Sequence, residues 1–101
     1  MNPPLPIRFT RRASRQVDEA GQWWQEHRTK APAALREELE GALLLIASQP
    51  DVGAQARNTK LKGVRRILLR RVGYHLYYRL LDTPSRSIQV VALWHTSRGQ
   101  G

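Results

Sequence analysis

Leu5, Ile7 and Phe9 alternate with Pro6 and Arg8, and this period of two predicts a short opening strand over Leu5 to Thr10. Prolines at 3, 4 and 6 suit a strand start or an edge. From Thr10 the period lengthens. Ala13, Val17, Ala20 and Trp24 fall at spacings of four, three and four, the stripe of an amphipathic helix running to about His27. The Thr10 hydroxyl is placed to cap its free N–H groups, and Asp18, Glu19, Gln22, Gln25 and Glu26 fill its wet side. Thr29 to Ala31 break the pattern, and Pro32 fits the first turn of a second helix, where its missing N–H costs nothing. Leu35, Leu39, Ala42, Leu43 and Ile46 form the inner stripe of that helix, while Arg36, Glu37 and Glu40 face out. Leu44 and Leu45 widen its apolar arc, which predicts the more deeply buried of the two helices. So short a break implies an antiparallel hairpin.

Pro50 ends the second helix, and Val52 to Thr59 read as loop. The period then returns to two. Arg65, Ile67 and Leu69 alternate with Arg66, Leu68 and Arg70, Arg71-Val72-Gly73 supplies a turn, Tyr74 to Leu81 forms another strand, and Thr83 to Ser87 a second turn. Ile88 to His95, rich in β-branched residues, is the last strand. The order βααβββ predicts one α+β domain over residues 1–101, an antiparallel sheet with the N-terminal helical hairpin packed on one face.

Strand parity then sorts the faces. Leu76, Tyr78 and Leu80 are the uniformly apolar set and belong in the core, which places His75, Tyr77 and Arg79 on the open face. In the last strand Ile88, Val90, Ala92 and Trp94 share one side, assigned to the core by a small margin of apolarity, and Gln89, Val91, Leu93 and His95 share the other. Parity leaves open whether His95 comes near His75.

At 101 residues, 41% hydrophobic and 25% charged, the composition is that of a globular domain with one modest core. The absence of cysteine excludes disulfides, thiolate metal sites and cysteine nucleophiles, and is compatible with the cytoplasm expected for the chain. The longest apolar run, Ala42 to Ala47, is far short of the roughly 20 residues that span a bilayer, so no membrane association is expected. The net charge of +9 changes the picture more. Residues 1–50 carry seven basic and six acidic side chains, whereas residues 51–101 carry ten basic and two acidic. Seven cations lie between Arg57 and Arg71 with no acid among them, an arrangement that repels itself unless an anionic partner offsets it. Nucleic acid and an acidic protein segment both qualify.

No phosphate-binding glycine loop, zinc-protease helix or nucleophile elbow is present. His27, His75 and His95 lack metal-ligand spacing, so neither a metal nor another cofactor is expected. Two histidines on a basic sheet are nevertheless competent for acid–base cleavage of RNA, one removing the 2′-hydroxyl proton and the other protonating the leaving oxygen, with Arg or Lys stabilising the phosphorane charge. Trp23 lies about 100° round the helix from Trp24, so both indoles cannot sit at the centre of one buried stripe. Trp23 is thus either a boundary residue or part of an exposed apolar anchor.

Lys60-Leu61-Lys62-Gly63, the hairpin Val72-Gly73-Tyr74-His75-Leu76-Tyr77-Tyr78-Arg79 and the ending Val91-Ala92-Leu93-Trp94-His95-Thr96-Ser97-Arg98-Gly99, in the order βααβββ, resemble the RelE/ParE family of toxin–antitoxin toxins. The resemblance implies a small basic toxin held inactive by a cognate antitoxin. RelE-like members cut mRNA on the ribosome; ParE-like members poison DNA gyrase and are not nucleases. His75 stands where RelE-like toxins commonly carry an arginine, and the chain stops six residues after His95 with no tyrosine beyond Tyr78. Both features, with Trp94-His95 followed by Arg98-Gly99, place the resemblance on the ParE side.

The resemblance therefore implies a gyrase inhibitor with no catalytic residues and no small-molecule substrate. Its target-binding residues would be Arg65, Arg66, Arg70, Arg71, Arg79, Trp94, His95 and Arg98. A ParD-like antitoxin with an acidic C-terminal segment would engage Trp23, Trp24, Tyr77 and Arg79. The alternative, a ribosome-dependent endoribonuclease acting on mRNA, would draw on His75, His95, Lys60, Lys62 and Arg79. A second alternative is a non-toxic basic nucleic-acid-binding module, disfavoured because neither helix carries the pattern of a recognition helix.

Overall fold

The computed structural model describes residues 3–57 and 59–97. The elements in order are β1 (Ile7–Phe9), α1 (Arg11–His27), α2 (Ala34–Ser48), β2 (Ala54–Gln55), β3 (Arg65–Leu69), β4 (Tyr74–Leu81) and β5 (Ser87–His95). The strands form one sheet in the order β1-β5-β4-β3-β2. β2 to β5 pair antiparallel. β1, expected in an antiparallel sheet, instead joins β5 in parallel, so the sheet is mixed. The Ile88 N–H donates to the Pro6 carbonyl and the Thr10 N–H to the Val90 carbonyl, extending that ladder at both ends.

Thr10 caps α1 as its position predicts, its Oγ1 accepting from the Ala13 N–H at 3.0 Å. Ala13, Ala20 and Trp24 turn inward. Pro32 does not open α2; residues 31–33 stay in the turn, and the helix begins at Ala34 with no side-chain cap. α2 buries Leu35, Leu39, Ala42 and Ile46. It is the more deeply buried helix, but Leu44 does not widen its inner arc: lying about 200° round from Ala42, it is 71% exposed.

The core lies between this hairpin and one face of the sheet, where Leu69, Tyr74, Leu76, Tyr78, Ile88 and Val90 meet the helices. The segment read as loop contains β2, too short to show a period. Its position follows from Tyr78, whose hydroxyl accepts from the Gly53 N–H at 2.9 Å and donates to the Pro50 carbonyl at 2.8 Å. A Cβ at residue 53 would stand 2.7 Å from that hydroxyl, so only glycine admits the contact. Burial pushes the Tyr78 phenol above its usual pKa, keeping it protonated and able to donate. Gly73, at φ +71°, turns β3 into β4 as expected of a glycine there.

One irregularity decides what the far face displays. Tyr78 pairs with Val90 but Tyr77 pairs with Ala92, so Val91 is an extra residue in β5, a β-bulge. Beyond it the parity of β5 inverts. Leu93 enters the core, and Trp94 is turned away from it. The assignment of Trp94 to the core side with Ile88 and Val90 thus fails past residue 91, because a bulge cannot be read from alternation alone.

Candidate functional site

The helices cover one face of the sheet and leave the other to solvent. Register arranges the open face in rows running across the strands. The first is Leu68, His75 and Trp94; the second is Ala54, Arg66, Tyr77 and Ala92; the third is Arg79, Gln89 and Arg8. Along β4 successive rows are two residues apart, about 6.6 Å, whereas along β5 the bulge makes the step from Ala92 to Gln89 three residues. The rows hold three arginines and no acidic side chain. Among the described residues neither Arg8 nor Arg66 belongs to an ion pair. Arg79 donates from Nε to Gln89 Oε1 at 2.8 Å, which ties its guanidinium to β5.

The aromatic rings sit among these cations. His75 and Tyr77 approach edge to face with centroids 6.2 Å apart. Burial, with the neighbouring Arg66 guanidinium adding to it, holds the His75 imidazole below its usual pKa, so it is neutral at pH 7. Trp94 is half-buried, with the Arg12 guanidinium 5.6 Å from its ring centre. Tyr77 faces this side as expected but is only 7% exposed, so its ring is a floor rather than a projecting anchor.

The remaining predicted residues scatter. Arg65 lies on the helix-facing side with Ile67 and Leu69, and its Nη1 donates to the Gly53 carbonyl at 2.7 Å. Arg71 is not without an acid: its backbone N–H donates to Glu38 and its guanidinium meets Glu37 at 3.5 Å, both on α2. Arg70 is exposed in the adjoining turn, and Lys60 and Lys62 are exposed in the loop before β3. His95 pairs with Tyr74 whereas His75 pairs with Trp94, so the two histidines point to opposite faces. The His95 ring stands edge-on to Tyr74 at 5.1 Å. Its Nδ1 accepts from the Ser97 N–H at 3.2 Å and lies 2.7 Å from the Ser97 hydroxyl. The structure therefore does not bring together a His75, His95, Lys60, Lys62 and Arg79 cluster. Arg98 lies outside the described residues.

At the far end of the hairpin Trp24 is buried, its Nε1 donating to the Ala31 carbonyl at 2.7 Å, so it closes the turn between the helices rather than offering a contact surface. Trp23 is 40% exposed, stacked on His27 at 4.5 Å with the Arg28 guanidinium 5.1 Å from its ring centre. Arg8, Arg12 and Gln89 were missed as site residues. Arg8 could have been found from its alternation with Ile7 and Phe9, but Arg12 and Gln89 depend on register across distant strands. Among the described residues no three His, Asp or Glu side chains group to hold a metal ion, and no helix is long and apolar enough to cross a membrane.

Residues 7–99 match the family model of the ParE toxin of type II toxin–antitoxin system, parDE. No curated protein sequence matches. Among solved structures, the chain is similar to a chromosomal ParDE toxin–antitoxin system from P. aeruginosa, at 21% identity and TM-score 0.62 over 90% of this chain and 95% of that one. It is also similar to the toxin–antitoxin complex RelBE2 from Mycobacterium tuberculosis, at 26% identity and TM-score 0.60 over 92% and 99% of the two chains. A mutant of the E. coli toxin RelE in the free state gives 19% identity and TM-score 0.62 over 97% and 90%.

Proposed function

Because the chain belongs to the ParE toxin family of type II toxin–antitoxin systems, we propose that it is a gyrase-directed toxin that blocks replication and is neutralised by a cognate ParD-like antitoxin. Its action is to stabilise the cleaved-DNA state of gyrase by binding, with no bond chemistry of its own. The observation that carries this reading is the open face itself. It gathers Arg8, Arg66 and Arg79 without an acid, yet has one histidine where acid–base cleavage of RNA asks for two proton-transferring groups within reach of the same phosphodiester. The turning of His95 to the other face weighs against the ribonuclease alternative.

In this reading Arg8, Arg66 and Arg79 contact the target, with Arg70 and Arg98 adding to the field that steers association. Trp23, exposed beside Arg28, is the anchor for an acidic antitoxin segment. Trp24 and Arg65 serve the fold. The purified protein is expected to inhibit negative supercoiling by gyrase and to accumulate cleaved DNA, while leaving mRNA intact on programmed ribosomes. Cleaved mRNA with unaffected gyrase would establish the ribonuclease alternative instead.

A further inference from the structure

We propose that the open face holds single-stranded DNA, with phosphates on Arg8, Arg66 and Arg79 and an unstacked base against the His75–Trp94 row; the choice of DNA rests on the reading of the chain as a gyrase-directed toxin. The charge alone would suit any polyanion. The arrangement of that charge narrows the choice.

Arg66 stands in one row and Arg79, Gln89 and Arg8 in the next, so the cations line a path across β3, β4, β5 and β1 rather than a single spot. Beside that path lie two half-buried rings, His75 and Trp94, on directly paired positions. His75 is neutral at pH 7, because burial and Arg66 depress its pKa, and a neutral ring adds stacking surface without drawing a phosphate away from the arginines. Ala54 and Ala92, on either side of the Arg66–Tyr77 pair, keep the middle row low. Cations along a groove with interleaved aromatic surface are the physical requirements of single-strand binding, where each base offers a face to stack.

Two competing ligands fit less well. A duplex keeps its bases stacked and is read by an element entering a groove, whereas among the described residues this surface is a sheet face that carries no helix. An extended acidic peptide gains affinity by adding main-chain hydrogen bonds at a sheet edge, whereas the three arginines and the His75–Trp94 pair lie on the face of the sheet, around β4, which has a strand on each side.

The test is fluorescence anisotropy of a labelled oligodeoxythymidine titrated with the full chain over a series of salt concentrations. Three phosphate contacts predict a slope of log affinity against log salt of about −2. Arg66→Ala with Arg79→Ala should reduce the slope to about −0.7 and weaken binding about tenfold or more at low salt. The charge-matched pair Lys30→Ala with Arg36→Ala, on the helical hairpin, should leave affinity within about twofold, since it removes the same charge away from the face. Trp94→Ala should cost about fivefold or more with no change of slope, and Trp94→Phe, which keeps a ring, should recover most of that loss. Equal losses for the two double variants would overturn the inference, as would tighter binding of duplex DNA. Tighter binding of oligouridine, or capture of polyglutamate without binding of the oligodeoxythymidine, would also overturn it. Gyrase inhibition measured on the same preparation separates the two readings. Inhibition without oligonucleotide binding sinks this inference alone; oligonucleotide binding without inhibition supports it and sinks the gyrase target.

Discussion

β4 is one strand with two different jobs on its two sides. Leu76 and Tyr78 face the helices at zero exposure, and the polar atom there, the Tyr78 hydroxyl, is satisfied by Gly53 and Pro50. His75 and Arg79, one residue away, face solvent beside Arg66 and Trp94. The first side is closed: apolar volume is filled and the buried hydroxyl has both its partners. The second is open: its cations face one another without acids, so the face repels itself until something anionic arrives. The same strand thus separates the side that holds the fold from the side we propose for binding.

Substitutions that break the contrast should sort by side. Leu76→Ala, in the middle of the closed side, is expected to lower the unfolding free energy by about 2–5 kcal/mol through lost burial and the cavity left behind, read from urea denaturation midpoints. Tyr78→Phe keeps the ring but strands the Gly53 N–H in the interior, and should cost about 1–3 kcal/mol in the same assay. Gly21→Ala acts outside the sheet. Nothing lies within 4 Å of the added Cβ, so the change should stabilise α1 by about 0.4–1 kcal/mol, visible as a raised melting temperature.

The smallest expected effect belongs to the open side. His75 is held below its ordinary pKa in the folded chain, so the unfolded chain takes up its proton first as pH falls. The stability tied to His75 is therefore complete above about pH 6.5 and is lost as pH falls toward the folded-state pKa. His75→Gln should flatten that part of the curve. A pH series of urea midpoints that runs parallel for the two proteins between pH 7.5 and 5 would contradict the assignment.

Much of this was legible in the chain. The Ala13, Val17, Ala20, Trp24 stripe, the Thr10 cap and the Gly73 turn are local signals, and each appears where its spacing puts it. The parity of β4 was legible too, because no residue interrupts its alternation. β5 was harder. Its bulge at Val91 inverts every side chain beyond it, and a strand with apolar residues on both sides gives no clue to the inversion. Trp94 and Leu93 exchanged places for that reason, and the separation of His75 from His95 follows from the same pairing. The parallel docking of β1 and the use of Arg65 and Arg71 within the fold were equally hidden, since they depend on contacts between segments far apart in sequence.

We propose that function resides on the open face and stability on the closed one. The most direct test is to assay Arg66→Ala with Arg79→Ala beside the charge-matched Lys30→Ala with Arg36→Ala for inhibition of gyrase supercoiling, with a thermal melt of each. Both double variants are expected to melt close to the parent, with the hairpin pair still inhibiting gyrase and the open-face pair not. Full inhibition by the open-face pair, or equal loss in both, would contradict it.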